Sequence, residues 1–172
     1  MKIVLMGYMG SGKSSVGKIL ADGFGLPFKD LDTEIEVREQ MSIPELFKRK
    51  GEIYFRKAEN KTLKTLLAMP GEFVLATGGG TPCYADSLAA ILEAGDVLSV
   101  YLKTPLPLLC DRLMQDKERR PLLAHLQTKE AMLEFVGIHL FERAHFYNQA
   151  GLVVETDAHS PEEIARKITG LL

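Results

Sequence analysis

The stretch that decides the fold runs Lys2-Ile-Val-Leu-Met6-Gly7-Tyr-Met-Gly10-Ser-Gly12-Lys13-Ser14. An apolar run of strand length stops at a glycine, and a complete G-x-x-x-x-G-K-S follows. Glycines open backbone conformations closed to other residues, so successive N–H groups can turn inward onto phosphate oxygens. The apolar periodicity that resumes at Lys13 predicts a helix whose N-terminal partial charge points into the same cradle. Lys13 is spaced to reach the β- and γ-phosphates, and the Ser14 hydroxyl to ligate Mg²⁺. Gly10, Ser11, Gly12, Lys13, Ser14 and Ser15 are therefore the expected ATP contacts. Such a loop serves ATPases and GTPases as well as kinases, so the remainder of the chain has to supply the acceptor.

Outward from the loop, apolar runs of strand length at 2–6, 27–31, 73–77, 97–102 and 152–155 alternate with helical patterns. The helical patterns fall at about 13–23, 32–40, 42–50, 52–68, 84–94, 105–117, 129–149 and 161–171. Several strand candidates are nearly continuous in hydrophobicity, as parallel strands covered on both faces are. Repeated β-α-β order predicts a three-layer α/β fold on a parallel sheet. Ser42-Ile-Pro-Glu45 and Ser160-Pro-Glu-Glu163 are capping-box signatures. With 172 residues and no linker or repeat, one domain spanning 1–172 is expected.

Composition bounds the partners. The chain is 46% hydrophobic and 26% charged with a formal net charge of −2, which offers no basic footprint for nucleic acid. The first apolar run covers only 3–7, and nothing approaches the ~18 apolar residues of a membrane span. A cytoplasmic location without a membrane partner is the expectation. Two cysteines make no disulfide framework, and Cys110 reads as a buried free thiol in an apolar helix.

Asp30 and Asp32 close the second strand two residues apart and so point the same way, at the strand end that borders a ligand crevice. Asp30 is suited to hold Mg²⁺ through water, and Asp32 to orient or deprotonate an acceptor hydroxyl. An alternative is that Asp32 only caps the next helix. Gly78, Gly79 and Gly80 follow the third strand and would let a ligand approach the backbone closely. Arg56 and Arg143 carry the planar fork that captures carboxylates, Arg112 could stack on an adenine face, and Arg120 sits in a charged stretch, 115–125, suited to a flap. Composition alone does not single these four out from the other basic residues. His145 reads as a packing or surface histidine.

Taken in order, these motifs identify a family that the chain resembles. The G-x-x-G-S-G-K-S at 7–14, D-x-D at 30–32, G-E-x-x-F-R at 51–56, G-G-G at 78–80, R-P-L-L at 120–123 and Arg143 with Tyr147 together resemble the shikimate kinases. The resemblance implies a P-loop NTPase fold with a five-stranded parallel sheet in the order 2-3-1-4-5. It implies transfer of the ATP γ-phosphoryl group to the 3-hydroxyl of shikimate, in aromatic amino-acid biosynthesis. By position, Asp32, Arg56, Gly78, Gly79, Gly80 and Arg143 would bind shikimate, with the arginines on its carboxylate. Lys13 and Arg120 would stabilise the transferring group, Ser14 and Asp30 would serve Mg²⁺, and Arg112 would pack on adenine. Residues of about 33–60 would form the substrate-binding part and about 112–124 the lid of a monomer. The family often has proline two residues after the arginine matched by Arg143, where this chain has His145. A related kinase for another polyhydroxy carboxylate such as gluconate, or a silent binding domain, would use the same scaffold.

Overall fold

All five residues of β1 (Lys2–Met6) are buried, and they serve two separate cores. The computed structural model describes residues 1–116, 123–157 and 159–172. Side chains alternate across a strand, so Val4 and Met6 enter one layer while Ile3 and Leu5 enter the other. That alternation under full burial is why the run reads as continuous in the sequence. Lys2 is tolerated at 2% exposure because its ammonium donates to Leu67 O at 2.8 Å and to Asp96 at 2.6 Å.

Around β1 the chain places β2 (Phe28–Asp30), β3 (Val74–Ala76), β4 (Val97–Lys103) and β5 (Leu152–Glu155). All pairs are parallel, in the order β2-β3-β1-β4-β5, with Leu5 beside Ala76 on one side and Val100 on the other. One face carries α1 (Lys13–Phe24) and α7 (Pro161–Thr169), packed through Val16, Leu20, Ile164 and Ile168. The other carries α2 (Leu31–Glu39), α3 (Ile43–Ala68), α4 (Ser87–Glu93), α5 (Leu106–Asp116) and α6 (Lys129–Tyr147). The three-layer fold and its strand order are those expected.

The two helices expected at 42–50 and 52–68 are both formed within Ile43–Ala68, separated at Gly51, whose φ of 80° and ψ of 173° no helix accommodates. Differences are local. The helix expected at 84–94 begins only at Ser87, after a 3₁₀ turn at Thr81–Cys83. The Ser160 box is complete, with reciprocal bonds of 3.2 and 2.7 Å. The Ser42 box is only half made. Ser42 Oγ accepts from the Glu45 N–H, but the Glu45 carboxylate takes the Ser42 hydroxyl, and Glu36 takes the Ile43 N–H at 2.8 Å.

Candidate active site

Three adjacent strands end on one edge of the sheet: β1 in the phosphate loop, β2 in Asp30, and β3 just before Gly78. The carboxyl ends of strands flanking a reversal in strand order are where α/β sheets open a crevice. Here a cleft of about 550 Å³ opens, lined by Gly10, Ser11, Gly12, Lys13, Ser14 and Ser15 of the loop. Asp30, Asp32, Gly78, Gly79 and Arg112 complete its expected lining, and Pro161 and Ile164 of α7 add an apolar wall.

The loop is built for an anion. Gly10 and Gly12 have φ of 82° and 93°, left-handed values that glycine adopts without strain. Gly12 is also the N-cap of α1 and gives it no side-chain cap, leaving that helix end available to phosphate oxygens. The Lys13 ammonium folds back over the loop, donating to Gly7 O at 2.8 Å and Tyr8 O at 3.0 Å. Arg112 donates to Gly10 O at 3.1 Å, which sets its guanidinium at the cleft edge. Ser11 Oγ is buried and, among the described residues, has no hydrogen-bond partner.

Asp30 and Asp32 divide their tasks. Asp30 Oδ1 accepts from the Asp32 N–H at 3.1 Å and caps α2, while its Oδ2 accepts from Ser14 Oγ at 2.9 Å. The cap is therefore Asp30, and the Asp32 side chain stays open to the cleft. Among the described residues no cluster of three His, Cys, Asp or Glu could hold a metal by itself. The Ser14–Asp30 pair does fit a hard cation that takes its remaining oxygens from water and phosphate.

The acceptor side is organised by a residue that the sequence reading missed. Glu59, 1% exposed, accepts from Thr81 Oγ1 at 2.7 Å and from Arg56 Nη1 at 2.8 Å. Arg56 also lies over the Tyr84 ring, 4.0 Å from its centroid. A Cβ on Gly80 would meet both terminal nitrogens of Arg56 at 2.9 Å, and one on Gly79 would meet Met9 N at 3.0 Å. The glycines are thus the points where the arginine and the phosphate loop press against β3's loop. A Cβ on Gly78 would lie 3.0 Å from Glu59 Oε1 and 3.5 Å from Asp32 Oδ1, so the two carboxylates flank that glycine. Arg143 and Arg56 both act electrostatically on the Cys83 thiol, against the burial that raises its pKa. Arg143 itself faces the Tyr8 ring at 5.7 Å.

The electrostatics follow from this crowding. Although Asp32 opens into the cleft, desolvation by the protein around it, reinforced by the Asp30 and Glu59 carboxylates, pushes its pKa up from 3.8 to about 6 against the opposing pull of Lys13. Burial pushes the Tyr8 phenol up to about 12. Arg119 and Arg120 lie outside the described residues, with the rest of 117–122 in the expected lid. His145 is exposed and Cys110 is a buried free thiol, as read from the sequence. A signal for Glu59 was available in its i+3 spacing from Arg56, and none pointed to Tyr84 or Tyr8.

Comparison with known proteins agrees with this geometry. The family model described as shikimate kinase matches residues 9–172. A shikimate kinase of Flavobacterium psychrophilum is 42% identical over 171 residues, covering 99% of this chain and 98% of that protein. The solved shikimate kinase of Acinetobacter baumannii, in complex with shikimate, has a TM-score of 0.85 at 36% identity and is covered to 91%, against 99% of this chain. That of Bacteroides thetaiotaomicron has a TM-score of 0.88 at 32% identity, covering 99% of this chain and 97% of the other. Loop, acidic pair, glycines and full-length similarity converge, and the chain belongs to the shikimate kinase family.

Proposed function

We infer that the chain transfers the γ-phosphoryl group of ATP to the 3-hydroxyl of shikimate, giving shikimate 3-phosphate and ADP in aromatic amino-acid biosynthesis. The observation that carries the reading is the Asp32 carboxylate, held beside Gly78 between the phosphate loop and the Glu59–Arg56 pair. Phosphoryl transfer asks a protein for alignment and charge neutralisation rather than covalent catalysis. The acceptor oxygen bonds to the γ-phosphorus as the bond to the ADP oxygen breaks, and the hydroxyl proton passes to Asp32. With a pKa of about 6, Asp32 is ionised at neutral pH yet basic enough to accept that proton.

Arg56 and Arg143 take the acceptor carboxylate, and the backbone of Gly78, Gly79 and Gly80 lines its ring. Lys13 spreads its charge over the phosphate oxygens, joined by Arg120 when the lid closes, and Arg112 packs on adenine. When bound, Mg²⁺ held by Ser14 and, through water, by Asp30 supplies charge neutralisation on the phosphates. Residues of about 33–60 form the acceptor-binding part and about 112–124 the lid of one domain spanning 1–172. A monomeric cytoplasmic enzyme completes the proposal. The −2 net charge offers no basic footprint for nucleic acid, and among the described residues no helix is long and apolar enough to cross a membrane. An ADP-release assay with shikimate, gluconate and no acceptor tests the reading. Release that depends on shikimate is expected, and ADP that forms only with gluconate, or with neither, would overturn it.

A further inference from the structure

Helix α6 carries Phe135, His139, Arg143 and Tyr147 at successive intervals of four, so the four side chains share one face. That face is fastened to both glycine loops. His139 Nδ1 lies 3.3 Å from the Tyr8 hydroxyl, and the Tyr147 hydroxyl donates to Gly79 O. The Phe135 ring meets the His139 ring edge-on with centroids 4.3 Å apart, which steadies the imidazole.

Tyr8 is the second residue of the phosphate loop and is only 1% exposed. It sits between two residues of the α6 face, with its hydroxyl at His139 and its ring facing the Arg143 guanidinium at 5.7 Å. A buried phenol needs a partner, so the bond to His139 decides where the ring stands. Tyr147, Tyr8, Cys83, Tyr84 and His139 all bear on Arg143. A long arginine side chain set among such rings takes its orientation from aromatic walls.

We propose that Tyr8 and His139 are positioning residues for acceptor recognition: they fix the face against which Arg143 presents its fork to the acceptor carboxylate. This rests on the reading of Arg143 as a carboxylate ligand. It also gives a phosphate-loop residue an acceptor-side task, because the Tyr8 side chain is buried against His139 and Arg143 of α6.

The test compares Tyr8→Phe, His139→Phe, His139→Gln and Arg143→Ala in steady-state kinetics, with melting temperatures measured alongside. Tyr8→Phe removes a single oxygen and guards against a folding failure at His139. Tyr8→Phe and His139→Phe are expected to raise KM for shikimate about three- to tenfold, the worth of one hydrogen bond, with kcat and KM for ATP within about twofold. His139→Gln, which can still accept from the phenol, should recover most of that loss. Binding of the methyl ester of shikimate, which lacks the carboxylate charge, should be equally weak in wild type and all four variants. If Arg143→Ala weakens shikimate but Tyr8→Phe and His139→Phe do not, the positioning role is overturned while the carboxylate reading stands. If Arg143→Ala leaves shikimate unaffected, the carboxylate reading itself fails. Equal losses for ATP and shikimate in Tyr8→Phe would also overturn the proposal, since they mark a distorted phosphate loop.

Discussion

Replacing Asp30 by asparagine is expected to bring the pKa of Asp32 down from about 6 toward its ordinary value of 3.8. The Asp30 carboxylate is the second cause of the elevation, after burial and ahead of Glu59, and asparagine removes its charge while keeping a residue able to cap α2. Removing the opposing charge with Lys13→Met should move Asp32 further up. A carboxyl with a pKa of about 6 is about 90% ionised at pH 7 and about 10% at pH 5, so activity that needs the carboxylate falls about tenfold over that interval. The direct assay is the carboxyl ¹³C shift of the ligand-free protein against pH, with Asp32→Asn identifying the resonance. Because Asp32 ionises less readily in the folded chain than in the unfolded one, its contribution to stability is complete below about pH 4 and lost as pH rises through about 6. Asp32→Asn should therefore raise Tm at pH 7 and leave it unchanged at pH 4. A wild-type midpoint near 4, or one that Asp30→Asn does not move, would refute the reasoning.

Three other substitutions test separate parts of the site. Gly80→Ala puts a methyl 2.9 Å from both Arg56 nitrogens, so KM for shikimate should rise about tenfold or more while the Kd for ATP in calorimetry stays within about twofold. Lys13→Met should lower kcat about 10²- to 10³-fold with an unchanged circular-dichroism spectrum, as expected for loss of a charge aimed at the transferring group. Ser160→Ala removes half of the complete capping box and should cost about 1 kcal/mol in urea unfolding, with a modest rise in KM for ATP because Pro161 and Ile164 line the cleft.

The donor side was legible because it is local. Loop, lysine and helix start lie within eight residues, and their chemistry follows from glycine conformations and helix polarity whatever the surroundings. The alternation of apolar runs and helical patterns, with β1 buried throughout, likewise carried the three-layer architecture, and the strand order came with the family resemblance. Local signals faltered where two partners were equally near. Glu45 was expected to bond the Ser42 N–H and instead took its hydroxyl.

What tertiary structure alone decided was the acceptor side's electrostatics. Asp32, Glu59 and Thr81 are far apart along the chain and meet only because β2 and β3 are neighbours with α3 packed behind them. A carboxylate in a helical pattern such as Glu59 reads as solvated surface until the fold buries it against Arg56. The same holds for the two tyrosines beneath the arginines, whose rings matter only through where packing turns them. Sequence specifies residue type and local conformation, whereas a pKa or a poised guanidinium depends on through-space distance and the removal of water, and these exist only once the layers have closed.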